Sequence, residues 1–184
     1  MRGAVVRDNP LFTFLRSALL DMLPARGLTG ILIKQSYQPK QHGRPNQSTV
    51  FLHKITDRRH GSRAVREGFD DDLGQLRTES QVMETTIQFN ALASERDPEN
   101  NEELTAADML KTVAAALQSV EFIERARKSG VQVLRIQEIR NAPFENERGR
   151  FEFDPSFDAV FTHADEYTQP INHVTHFTEG FYGI

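Results

Sequence analysis

The chain has 184 residues, enough for one domain that buries about two thirds of its unfolded surface, and it carries no cysteine. Disulfides, thiolate metal sites and cysteine nucleophiles are thereby excluded, and folding in a reducing cytosol is the simplest expectation. The net charge of −4, from 22 Lys+Arg and 26 Asp+Glu, argues against a dedicated nucleic-acid binder, and no apolar stretch approaches the ~20 residues that span a bilayer or marks a signal peptide.

The first element is a helix. Asp8 or Asn9 is a good N-cap and Pro10 suits the first turn. Leu11, Phe12, Phe14, Leu15, Ala18, Leu19, Met22 and Leu23 then recur at spacings of three and four, which predicts a helix over Leu11–Leu23 with a core-facing stripe. Pro24 and Gly27 end it. Gly30–Tyr37 reads as a strand, Gln38–Asn46 as a run of turn formers, and Ser48–Thr56 as a second strand, antiparallel to the first.

From Asp57 to Gly74 the apolar pattern dissolves into charge. Arg58, Arg59, Arg63 and Arg66 precede the acidic run Asp70, Asp71, Asp72, and the segment reads as a long exposed loop. Gln81–Ala93 alternates cleanly, with Met83, Thr85, Ile87, Phe89 and Ala91 on one face. At ~3.3 Å per residue such a strand reaches about 40 Å, so its end either bends or projects. Residues 57–80 together are expected to form an exposed arm that meets a neighbouring subunit.

The segment Ser94–Glu103 is acidic. Thr105 and Asp108 form a capping-box start for a helix over Thr105–Gln118, buried through Met109, Leu110, Val113, Ala114 and Leu117. Ser119 caps a short helix, Val120–Lys128, that Gly130 ends. Val131–Ile139 returns to the sheet, Asn141–Asp154 is a polar connection, and Phe157–His163 is a closing strand paired with Val131–Ile136. The tail 164–184 has no clear period. The whole predicts a single α+β domain over 1–184: an antiparallel or mixed sheet of four to five strands flanked by two or three helices, with an extended arm.

Chemistry-bearing patterns are sparse. His173 and His176 have metal-like spacing but lack a third ligand or a helical zinc motif, so no metal site is assigned. His42, His53, His60 and His163 are scattered singly. The run Asp70–Asp72 lacks the glycine turn and alternating ligands of a calcium loop and reads as solvated. No nucleophile elbow, phosphate loop or dinucleotide fingerprint occurs, and no catalytic residue, cofactor or enzyme activity is expected. The four arginines read first as exposed charge, and otherwise as contacts to a phosphate backbone or to carboxylates of an adjacent subunit.

Several motifs resemble one family in order and wording. Tyr37–Gly43 followed by Thr49-Val50-Phe51 is similar to the first hairpin of the neck or tail-terminator proteins of tailed bacteriophages, and Gln81–Ala93 to their long central strand. Leu104–Asp108 resembles the start of their helix; Val133–Asn141 and Pro155–Asp158 resemble their last two strands. The resemblance implies a structural virion protein: an oligomeric ring, most plausibly a hexamer, at the head–tail joint. Such a ring caps the tail tube, contacts neck/connector and tail-tube proteins, and leaves a channel for DNA without sequence-specific binding. It also implies location in the virion neck after assembly in the host cytoplasm. Arg58, Arg59, Arg63, Arg66, Asp70, Asp71 and Asp72 would then lie at a subunit interface or the lumen. The alternative is a small nucleic-acid-binding or ligand-binding module that uses the basic segment 58–66.

Overall fold

The computed structural model describes residues 8–35, 47–93, 104–145 and 151–171. The expected turn-former run, the acidic 94–103 segment, His173 and His176 lie outside these residues. Among the described residues three α-helices, α1 (Asp8–Met22), α2 (Ala106–Leu117) and α3 (Val120–Lys128), pack on one face of a mixed six-stranded sheet. No described helix is long and apolar enough to cross a membrane.

The α1 stripe is core as its spacing predicts: Leu11, Leu15, Ala18 and Leu19 are all within 1% of full burial. Thr105 caps α2 through the expected box, its Oγ1 accepting from Asp108 N–H while Asp108 returns to the Thr105 N–H. Ser119 caps α3 by accepting from Phe122 N–H. Phe122 in turn packs against Phe14 of α1, ring centroids 5.9 Å apart.

The strands are β1 (Leu32–Gln35), β2 (Thr49–Asp70), β3 (Gly74–Leu92), β4 (Val131–Val133), β5 (Arg140–Glu145) and β6 (Phe151–Pro170). They run in the order β1-β2-β3-β6-β4, with β5 also beside β6. The inward residues of β3, Thr85, Ile87, Phe89 and Ala91, are all buried, and Phe89 stacks on its cross-strand partner Phe157 at 4.8 Å. That stack lies under α2, so the core is a single layer of apolar side chains between helices and sheet.

Four readings need correction. The first two strands are parallel, pairing Leu32 with Thr49 through Gln35 with Leu52. Residues 36–48 are enough chain for the return crossover that parallel neighbours require. Second, most of the Asp57–Gly74 loop is strand: β2 runs to Asp70, broken by one bulge between His60 and Ala64, and pairs with β3 up to the turn. Third, Val131–Ile139 is strand only to Val133, because the Leu134 carbonyl accepts from the Gln118 side chain and Ile136 and Ile139 pack on the core from an irregular path. Part of the polar connection instead becomes β5, the sixth strand. Fourth, Ala164–Pro170 of the presumed tail continues β6 along β3.

Candidate assembly interface

β2, β3 and β6 continue together beyond the helices as a three-stranded arm. The last buried β3 residue is Thr85, and every β2 residue from Ile55 to Phe69 is exposed. From Thr85 to the turn the arm reaches roughly 35–40 Å at ~3.4 Å per residue. Both of its faces meet solvent, which explains why no apolar alternation marks it in the sequence.

A polar cluster closes the core where the arm begins. Thr85, 1% exposed, donates through Oγ1 to Asp57 Oδ1 at 2.8 Å and lies 3.0 Å from His163 Nε2. Lys54 binds the other oxygen of Asp57. Burial alone pushes the Asp57 carboxyl up, but the hydrogen bonds from Lys54 and Thr85 and the nearby positive charges hold it below its ordinary 3.8. The threonine stands between acid and imidazole and is sealed from solvent, so it cannot serve as a nucleophile activated by the histidine. The cluster ties three strands together.

The arm turns on Asp70–Gly74. Asp70 Oδ1 accepts from the N–H groups of Asp72 and Leu73, at 3.0 and 3.1 Å, and Gly74 takes φ 76. This is a three-residue hairpin loop with a left-handed closing glycine, so the acidic run serves as turn chemistry. Midway along the arm, Gly61, Ser62 and Arg63 stand opposite Gln81 alone. The Gln81 side chain donates to the His60 and Gly61 carbonyls at 2.9 and 3.3 Å, stapling the bulge, and Gly61 supplies φ 70.

The four arginines do not form one patch. Arg58 and Arg66 belong to the helix-free face, Arg59 to the helix-side face, and Arg63 to the bulge, where it binds Glu79 at 2.5 Å. Arg58, Arg59 and Arg66 make no ion pair among the described residues, and neither do Asp165 and Glu166 on β6. Sequence reading missed the β6 carboxylates and the exposed apolar groups near the tip: Val65 (54% exposed), Phe69 (76%), Leu73 (56%) and Tyr167 (62%). Large aromatics within charged segments were the available signal.

Elsewhere, a shallow groove between α2 and residues 136–139 is lined by Ala114, Ala115, Ile136 and Ile139 together with Gln118, Gln137 and Glu138, and Gln118 there donates to the Leu134 carbonyl. Among the described residues no three His, Asp or Glu side chains gather as a metal site would require.

The model of the family described as E217 gateway protein gp29 matches residues 10–173. No curated protein matches the sequence. Among solved structures, the anti-feeding prophage cap (AFP tube terminating cap) aligns at TM-score 0.51 and 13% identity, over 94% of this chain and 59% of that one. The PVC sheath/tube terminator of an extracellular contractile injection system aligns at TM-score 0.48 and 14% identity, over 94% and 64%. The chain thus spans about three fifths of the length of these structures, and the likeness to the cap speaks to the fold.

Proposed function

The chain belongs to the E217 gateway protein gp29 family, and from that premise we propose that it is a structural tail-end protein of a phage particle that forms a homo-oligomeric ring, a hexamer, at the head–tail joint. The ring caps the tail tube, contacts the neck/connector on its other side, and leaves a channel through which the genome passes. It is assembled in the host cytoplasm and carried in the neck of the virion.

One observation carries this reading beyond family membership. The arm holds roughly half of β2, β3 and β6 outside the domain's own core, with exposed aromatics along it and charges, Arg58, Arg59 and Arg66 among them, that make no ion pair among the described residues. A monomer gains nothing from ordering so much two-faced sheet, since it buries no apolar layer there. A protein that shares this surface with copies and neighbours does gain.

Reconstruction of the intact neck is the test. Density for a closed ring of this chain between tube and connector is the expected result. Particles whose neck lacks it, or a chain present as isolated single copies, would overturn the proposal. Light scattering of the isolated protein adds the oligomeric state before assembly.

A further inference from the structure

Among the described residues the arm has two edges with no strand beside them. β1 covers β2 only as far as Leu52, and the outer edge from Arg58 to Phe69 pairs with no described strand. On the far side, β5 and β4 cover β6 at 151–156 and 161–163, and the only described strand beside Ala164–Pro170 is β3. An exposed edge of this length offers a row of backbone donors and acceptors to another strand.

The two edges complement each other in charge. Arg58, Arg59 and Arg66, which make no ion pair among the described residues, mark the β2 edge with Arg63, and the acid that follows them, Glu67, is paired with Arg77. The stretch 164–170 of β6 carries no base, and its Asp165 and Glu166 make no ion pair among the described residues. Heights match as well. Through β3, Ala64 is level with Glu166, Val65 with Tyr167, and Arg66 with Thr168.

Because β2 and β6 both pair antiparallel to β3, they run parallel to each other. Rotation about an axis along the arm preserves both height and direction. It therefore brings one copy's β6 edge beside the next copy's β2 edge, parallel, with Asp165 and Glu166 beside the segment flanked by Arg63 and Arg66. The same operation sets Tyr167 against Val65 on the helix-side face. These are 62% and 54% exposed in the single chain.

Resting on the ring reading, we propose that neighbouring copies join by parallel strand addition of the β6 edge at 164–170 to the β2 edge at 60–68, the stretch level with it through β3. The contact is heterologous, one edge meeting a different edge, and so propagates around a closed ring.

The test uses assembled particles. Arg66→Glu alone and Glu166→Arg alone should each cut the yield of joined particles tenfold or more, and the two together should restore it. Both sites lie on the exposed arm, and an unchanged melting curve of the isolated variants checks that the domain still folds. A second variant, Val65→Cys with Tyr167→Cys, reads the contact directly in a chain that has no cysteine of its own. Within one copy these positions flank β3, about 9.5 Å apart at two strand spacings, beyond the ~7 Å that a disulfide bridges. Oxidation should therefore yield a ladder of covalent multimers. Particles whose necks contain the ring, but in which the charge swap fails to restore joining and the cysteines stay monomeric, would overturn this contact and leave the ring standing. Necks without a ring would remove both.

Discussion

Thr85 shows how one hydroxyl can hold three strands. Its single proton goes to Asp57, so the contact at 3.0 Å requires His163 to donate from Nε2. Thr85→Val keeps the shape and removes the hydroxyl that both partners bond, while the exposed Asp57 can turn to water. It should cost about 1 kcal/mol, read as a shift in the urea midpoint. Acid should act at the same place. The folded Asp57 carboxyl lies below its ordinary 3.8, so its contribution is complete above 3.8 and is lost as pH falls through the lower folded value. Asp108, held low first by its hydrogen bond from Thr105, adds to the same window. Urea midpoints measured on either side of 3.8 should therefore fall less for Asp57→Asn than for the parent chain.

Elements differ in whether their stability is shared with the core. The α2 cap lies next to buried Met109 and Leu110, so Thr105→Ala should lower global stability by about 1 kcal/mol, visible as a lower melting temperature. The arm has no such coupling. At Gly74, φ 76, a side chain enters the left-handed region at about 1–2 kcal/mol. Gly74→Ala should thus speed amide exchange over residues 64–70 while the global unfolding midpoint stays put. A global loss of the same size would mean that the arm and the core melt as one unit.

At the scale of the whole molecule, net charge separates the proposed ring from a nucleic-acid binder. A net charge of −4 with arginines along a single edge gives little long-range attraction for duplex DNA. Slow release would also stall a genome passing through a channel. Replacing Arg58, Arg59, Arg63 and Arg66 together with alanine should reduce head–tail joining far more than it changes DNA binding, which stays weak in both forms. Submicromolar duplex affinity at physiological salt, abolished by that replacement, would favour the nucleic-acid-binding alternative instead.

Periodicity in sequence reports which face of an element is buried, and for the three helices and the inner half of β3 the sequence alone was enough. The α1 stripe, the Met109–Leu117 stripe, the Thr105 and Ser119 caps and the inward row Thr85, Ile87, Phe89, Ala91 are all legible from spacing. The α+β class follows from them; the kinship rests on the wording of whole motifs, and the family model agrees with it over residues 10–173. Residues 57–80 and 164–170 face water on both sides, so no selection for an apolar face imprints a period of two, and the arm passed for loop and tail. Strand direction was equally hidden at Leu32–Gln35, because a polar connection carries no record of where it returns the chain. Tertiary pairing alone set His163 against Thr85, 78 positions apart in the chain, and levelled Glu166 with Ala64 across β3. Those relations are non-local: they exist only once backbone hydrogen bonds have fixed the register of three strands at once.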